Sequence, residues 1–316
     1  MGLPPVSVII ASRDRPQMLA DVIRSVLAGR VTPDELVIVD QSARPQPDVG
    51  DLDQPDGCRV RYVRPGTVGL SRANNAGARL AAHEVLVFTH DDVLVDSTWL
   101  AALLAAHMDL GSDVVVTGRV AATEPEQEGA FAPALRDDVK PASYFGRLGF
   151  DVLKPMNVLI TKQTFLGVGG FDERLGPGTP FPGAEDADLG FRLLEAGHRI
   201  DYRPEAVVRH RAWRPSGDYF PLRWRYGLAL GAFYAKHMHL RDPHVVGRAA
   251  RDVGRRIRAF PGRVRGEGRR ALGDPVFVCA NVVGAAKWVI RERRSATATE
   301  RGARPLPTDR EVPHHG

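Results

Sequence analysis

Short apolar runs that stop on polar or acidic residues dominate the first third of the chain. Val6 to Ile10 (VSVII), Glu35 to Asp40 (ELVIVD), Val60 to Val63 and Val85 to Thr89 (VLVFT) are four to six residues long and bounded by Pro, Gly or charged residues. Continuous apolar runs of this length read as strands buried on both faces. Between the first two, Met18, Leu19, Val22, Ile23, Val26 and Leu27 repeat at helical spacing, with Asp14 as the expected cap, Pro16 in the first turn and Gly29 as the stop. A second helix is expected around Leu70 to Ala82. The alternation is βαβ, which restricts the chain to an open α/β sheet whose ligands sit at the carboxyl ends of its strands. At 316 residues, of which 43% are hydrophobic, the chain hides roughly three quarters of its unfolded surface and needs no covalent staple. Its two cysteines, Cys58 and Cys279, lie far apart without metal-ligand spacing, so neither a disulfide framework nor a zinc site is expected and a reducing cytoplasm fits best. The opening MGLPPVSVIIASRDRP lacks a basic stretch before its apolar run, and no 18 uninterrupted apolar residues occur anywhere, so neither a signal peptide nor a membrane span is expected.

The net charge of +5 is unevenly placed. Counting Lys and Arg against Asp and Glu, residues 1–240 carry −4, residues 241–294 carry +9 and residues 295–316 carry 0. Basic patches meet nucleic acid or anionic membranes, but the acidic first part repels both unless a cation sits among its carboxylates.

Further along, Ser97 is the expected cap of a helix carrying Trp99, Leu100, Leu103 and Leu104, with Trp99 in the core, and Val114 to Val116 is another strand. Residues 41–57 and 121–152 lack periodicity and read as loops, the second long. Order returns at Asn157 to Thr161 and then at the segment FLGVGGF from Phe165 to Phe171. A helix is expected from Asp186 to Ala196, stopped by Gly197, and then a hairpin-like pair, Arg199 to Tyr202 and Ala206 to His210. Helix-compatible runs follow from Tyr219, and residues 295–316 read as a disordered tail. The domains expected are a catalytic unit over 1–240, a basic helical extension over 241–294 and the tail.

Three groups carry chemistry. His90, Asp91 and Asp92 close an apolar strand; adjacent carboxylates repel there, and Mg²⁺ or Mn²⁺ with a bound diphosphate removes the repulsion. The same trio also suits a plain helix cap ahead of Trp99. Glu185, Asp186 and Asp188 crowd the first turn of a helix, where the macrodipole favours each negative charge by about 0.3 to 1 kcal/mol; the position equally suits a general base. His210 ends a strand and is either structural or a borderline metal ligand.

In order along the chain, SVIIASRDRP, ELVIVDQSA, GLSRANNAGARLA, VLVFTHDDV, NVLITKQTFLGVGGFDERLGPG and EDADLGFRLLEAGHRIDYRPEAVVRH make residues 5–240 resemble the family 2 inverting glycosyltransferases. The resemblance implies the GT-A fold: a Rossmann-like, mostly parallel central sheet flanked by helices, here with a helical C-terminal extension. A nicotinamide dehydrogenase does not fit, because Ser-Arg-Asp-Arg-Pro and not a glycine-rich turn follows the first strand. The implied activity is metal-dependent transfer of a sugar from a nucleotide diphosphate, UDP or dTDP being expected, to a hydroxyl of a cell-envelope glycan or lipid-linked acceptor. The implied roles place Ser12 and Arg13 near the nucleotide, Asp40 on the base, and Arg72 with Asn75 near the base or diphosphate. Asp91 faces the donor ribose or sugar and borders the metal. Asp92 binds Mn²⁺ or Mg²⁺, His210 completes its shell, Gly169 and Gly170 admit the donor sugar, and Asp186, with Glu185 second, is the base. The family usually has an acid where His90 stands. A nucleotide-sugar binding protein without turnover is the alternative.

In the extension, nine arginines between Arg248 and Arg270 precede an apolar stretch from Pro275 to Ile290. Two readings fit. In one, the arginines meet an anionic membrane on the inner face of the cell membrane while Val276, Phe277, Val282, Val283, Trp288 and Val289 enter it. In the other, a solvated basic helix precedes a helix packed on the catalytic unit. Nucleic acid is not an expected partner, because aromatic interleaving and helix-turn-helix or zinc patterns are missing.

Overall fold

A computed structural model describes residues 2–46, 57–125, 129–211, 213–238 and 242–302, the last seven as backbone alone. Its centre is one sheet in the order β3-β2-β1-β4-β8-β6-β9-β5, with β7 on the far side of β9. The strands are β1 (Val6–Ser12), β2 (Glu35–Asp40), β3 (Arg59–Val63), β4 (Val85–His90), β5 (Val93–Val95), β6 (Val114–Ala122), β7 (Ala142–Tyr144), β8 (Val158–Thr161) and β9 (Arg199–His210). β1, β2, β3 and β4 run parallel, as do β6 and β9; β8 is antiparallel to both β4 and β6.

Every residue of β1 and β2 is buried, which is why these strands read as unbroken apolar runs. The pleat sends Val8 and Ile10 to one face, where they meet Leu19 and Ile23 of α1 (Pro16–Leu27) and Trp99 and Leu103 of α3 (Trp99–Leu110). Ile9 and Ala11 point to the other face, against Ala73 and Ala78 of α2 (Leu70–Leu80), Phe165 of α4 (Lys162–Gly167) and Leu189 and Leu193 of α5 (Glu185–Glu195). Three layers result, with the carboxyl ends of β1, β2 and β4 on one rim.

Several local expectations give way. Asp14 does not cap α1: its backbone is left-handed (φ 54°), its amide donates to Ser42 Oγ at 2.7 Å, and Arg15 takes the cap position without a side-chain bond. Thr98, not Ser97, precedes α3, also without a side-chain cap. The strand at Val114 continues to Ala122. The hairpin at 199–210 is one strand, because both of its halves pair with β6: the partner of Gly118 is Arg203 and that of Arg119 is Val207, so an irregularity in the ladder absorbs Pro204, Glu205 and Ala206. The segment at Phe165 is the end of α4 followed by a turn. The 121–152 loop is tied down by Val120 pairing with Arg136, by β7 against β9, and by Arg136, whose guanidinium bonds the Val152 carbonyl and Tyr144 and covers the Tyr202 ring; its residues 126–128, like 47–56 of the earlier loop, lie outside the described residues.

Three helices finish the molecule: α6 (Tyr219–His237), α7 (Pro243–Glu267) and α8 (Gly273–Gly302). Helix continues to 302, into the stretch expected to be disordered; residues 303–316 lie outside the described residues. The run Pro243–Ser295 is long and apolar enough to cross a membrane by length and composition, and 39% of its apolar window is buried. Phe277, Ala280 and Trp288 of α8 are buried on the protein side, with Trp288 5.4 Å from Phe181, so Phe277 and Trp288 are not the membrane-facing residues expected. Val282, Val289 and Ile290 stay exposed. Where α6 crosses α8, side chains vanish: a Cβ on Gly231 would stand 1.9 Å from the Asn281 carbonyl oxygen, and one on Gly284 2.1 Å from that of Leu228. Only glycine permits backbones this close.

Candidate active site

A cleft of about 880 Å³ opens at the carboxyl rim of the sheet, bounded by the ends of β1, β4 and β9, by residues 151–156, by the turns at 177–178 and 182–184, by the start of α5, and by α6. Apolar strands end there, and their next residues are polar because they leave the core.

Ser12 Oγ donates to Asp91 Oδ2 at 2.9 Å, and Arg15 Nη1 reaches Asp91 Oδ1 and Asp92 Oδ2, each at 3.1 Å. On the far side of Asp92, His210 Nε2 lies 3.6 Å from Oδ1. His210 Nδ1 is 3.2 Å from the Pro133 carbonyl oxygen. A carbonyl can only accept, so the proton of neutral His210 sits on Nδ1 and the Nε2 lone pair faces Asp92. Two electron-rich atoms therefore face each other, and Asp92 Oδ1 is buried without a hydrogen-bond partner. This is the donor set a cation fits. Among the described residues no three His, Cys, Asp or Glu side chains converge; Asp91, expected beside the metal, is turned to Ser12 and Arg15.

The electrostatics separate the trio. Burial alone would raise the Asp92 carboxyl, but the His210 and His90 imidazoles whenever they carry the extra proton, and Arg15 always, hold it below the usual carboxylate range. Burial, with the Asp92 charge behind it, pushes Asp91 up to about 6 against Arg15 and Ser12. Burial pushes His90 down to about 4 despite Asp92. His90 is therefore uncharged at neutral pH, and its Nε2 is buried without a partner.

At the other side of the cleft, Ala184 holds a left-handed backbone (φ 63°) that turns the chain into α5. Asp186 lies in the cleft, its Oδ1 accepting from the Ala187 amide at 2.8 Å and its Oδ2 3.8 Å from Lys154 Nζ. Glu185 Oε2 is buried and unpartnered, and burial, with Asp186 adding to it, raises that carboxyl strongly. The third acid, Asp188, is fully buried and bound by Arg192 at 2.7 Å, Lys236 at 2.5 Å and His237 at 2.7 Å. It clamps α5 to α6.

Not every expected residue reaches the cleft. Ser12 and Arg13 line it. Asp40 is fully buried beside it: Tyr62 and, at 2.8 and 3.1 Å, the Ser42 amide and Gln46 Nε2 donate to its carboxylate. Arg72 lies outside it, 3.5 Å from Glu173. Asn75 fastens the Gly-Gly-Phe-Asp turn, donating to the Phe171 carbonyl at 2.8 Å and accepting from its amide at 2.9 Å. Gly170 packs on Asn75, where a Cβ would lie 2.7 Å from Oδ1, and neither it nor Gly169 lines the cleft. The turn after α4 faces α2 because Asn75 pulls it there; Gly178 and Gly183 take the place by the cleft. Arg15, Lys154 and Tyr226 line the cleft and went unread in the sequence. Arg15 directly before Pro16 was a visible signal, while Lys154 lies in an aperiodic stretch that gave none.

The glycosyl transferase family 2 profile matches residues 7–155, the segment that contains β1, Asp40, Asp91 and Asp92. The matched segment belongs to the family 2 glycosyltransferases. This glycosyltransferase is 26% identical over 227 residues to a glucosyl-dolichyl phosphate glucuronosyltransferase of Haloferax volcanii, an alignment covering 65% of this chain and 69% of that one. It is 26% identical over 252 residues to a pre-mycofactocin glycosyltransferase of Mycobacterium tuberculosis, covering 78% of this chain but 51% of that protein, so it spans about half the length of that relative. A mannosyltransferase from Pyrobaculum calidifontis, solved with GDP-Man and Mn²⁺, superposes with a TM-score of 0.54 over 97% of this chain and 78% of its own, at 17% identity. The glycosyltransferase thus has the GT-A fold.

Proposed function

We propose that the chain transfers a sugar, with inversion, from a nucleotide diphosphate to an acceptor hydroxyl, using Mn²⁺ or Mg²⁺. The observation that carries this is the facing of His210 Nε2 and the unpartnered Asp92 Oδ1 across 3.6 Å, with Asp186 lining the same cleft. Asp92 and His210 would hold the cation, the diphosphate and water filling the remaining positions. A bound cation offsets the negative charge that develops on the departing diphosphate.

The chain's own residues do the rest. Arg15 and Ser12 orient Asp91 at the donor. Asp186 accepts the proton of the acceptor hydroxyl as its oxygen attacks the anomeric carbon from the face opposite the leaving group, which inverts that centre. Lys154 holds Asp186 in place. The donor base, UDP, dTDP or GDP, is open to a panel. We place the enzyme in the cytoplasm, at the inner face of the membrane, with the exposed Val282, Val289 and Ile290 as the contact.

The test is to screen nucleotide sugars for Mn²⁺-dependent nucleotide release, with and without glycan acceptors. Release that tracks metal supports the reading. Nucleotide binding without any release returns the protein to the binding-module alternative.

A further inference from the structure

The side of the cleft opposite the sheet is basic, and nothing in the donor chemistry above uses it. Arg214, Arg223, Arg225 and Arg256 all line it. Two are only partly neutralised. Arg223 and Arg256 share the single buried carboxylate of Asp274, at 2.8 and 3.4 Å, with Arg263 at 2.8 Å, and both guanidinium groups lie over the Phe277 ring. Arg256 has a further acid, Asp252, at 3.5 Å. The other two have less: among the described residues neither Arg214 nor Arg225 has an acidic partner, and Arg214 Nε is buried without a hydrogen-bond acceptor. Burial and the neighbouring Arg256 both press the Arg223 guanidinium below its ordinary value. Guanidinium groups gathered beside a cleft with too few carboxylates await an anion with several acceptor oxygens.

We propose that this wall binds a phosphate group carried by the acceptor, so that the acceptor is a phosphate ester. The proposal rests on the transfer reading above and names its second substrate. Position separates this anion from the donor's diphosphate. The donor corner, formed by β1, β4 and His210, has Arg15 as its own cation. Arg223 and Arg225 come instead from α6, on either side of Trp224 and next to Tyr226. The Tyr226 ring lies 3.7 Å from where a Cβ on Gly183 would stand, at the turn that leads into Glu185 and Asp186. An acceptor phosphate on these arginines therefore leaves the acceptor's hydroxyl on the Asp186 side. The phosphate itself does not react. The hydroxyl proton goes to Asp186, the acceptor oxygen bonds to the anomeric carbon, and the bond from that carbon to the diphosphate oxygen breaks with its electron pair leaving on the nucleotide.

The same phosphate chemistry arises on a soluble sugar phosphate and on a lipid phosphate, and probes separate them. The full chain, saturated with Mn²⁺ and UDP or GDP, is titrated with glucose 1-phosphate, with dodecyl phosphate below its micelle concentration, and with the neutral methyl and dodecyl glucosides. At least one phosphate probe should bind tenfold or more tighter than its neutral counterpart. Arg214→Gln and Arg225→Gln should each weaken it at least fivefold more than they change nucleotide affinity, and Arg225→Lys should recover part of the loss. Binding of dodecyl phosphate alone assigns the acceptor to lipid phosphates; binding of both admits soluble esters. Neutral probes that bind equally well, variants without effect, or phosphate probes that compete with the nucleotide would each overturn the proposal. If no nucleotide binds, the transfer reading fails first, and the titration repeated on the nucleotide-free chain still decides whether the wall takes phosphate.

Discussion

Asp92 has a buried oxygen with no hydrogen donor, and an atom in that state costs free energy until something positive reaches it. Asp92→Ala should therefore abolish Mn²⁺-dependent nucleotide binding and lower turnover by at least about 100-fold, the scale of losing a charge-stabilising group; isothermal titration with and without Mn²⁺ checks it, and unchanged affinity at saturating metal would refute the role. Asp186→Asn should leave nucleotide affinity in place and slow transfer by about 10² to 10⁴-fold, the usual worth of a positioned base. Retained transfer in a coupled nucleotide-release assay would move the base to Glu185. A third outcome concerns stability. Burial would raise Asp172, but Arg174 and Lys236, the latter 2.6 Å away, hold it far below its ordinary value. A carboxyl lowered on folding stabilises the fold above its unfolded pKa, near 4, and that contribution fades as pH falls further. Asp172→Asn should thus destabilise the protein at pH 7 and flatten its acid-side loss of melting temperature between about pH 4 and 2, seen by thermal denaturation at a series of pH values.

Among the elements, the seam between α6 and α8 has the least room. Gly231→Val would put branched carbons where the Asn281 carbonyl stands 1.9 Å from the Cβ position, so α8 must lift away; overpacking of this kind costs about 3 kcal/mol, and urea unfolding should show a loss of at least that size. A stability within 0.5 kcal/mol of wild type, roughly the range of harmless surface changes, would show that the helices are not held this closely. The parallel half of the sheet was legible because β1 and β2 are buried on both faces and so carry no polar alternation. β9 was misread because Pro204 and Glu205 look like a turn, and only the pairing with β6 shows that an irregularity in the ladder holds them in one strand. Asp186 could be placed at a helix start from spacing. That Asp188, two residues on, turns inward to Lys236 and His237 could not, because its partners lie on a helix about 48 residues away whose docking no local pattern encodes. The same holds for Asp40: its place at a strand end was plain, whereas Gln46 and Tyr62 closing over it depends on the loop and on β3.

For the whole molecule, the basic C-terminal extension is not a detachable tail of charge. Arg248 bonds Asp151 beneath the cleft, and Asp274 gathers arginines from α6 and α7. A chain ending at Leu272 should lose the cover of Phe181 and Ala232, which Trp288 supplies, and should elute from size-exclusion chromatography as aggregate; a monodisperse, cooperatively melting product would mean that α8 only decorates the surface. Read from the sequence, the +9 of residues 241–294 looked free to meet a membrane. One of its arginines, Arg248, is buried against Asp151 of the catalytic unit, while Arg256 and Arg263 pair with Asp274 inside the segment and leave its net charge unchanged.

Asp274 also fixes when the enzyme is finished. Synthesis runs from the amino end, so a ribosome-bound chain can assemble its sheet, with Asp92, His210 and Asp186 in place, while Arg223 and Arg256 still lack the carboxylate that aligns them. α8 brings that carboxylate to the far bank of the cleft, so a change that pulls the helix away leaves those two arginines facing each other without it.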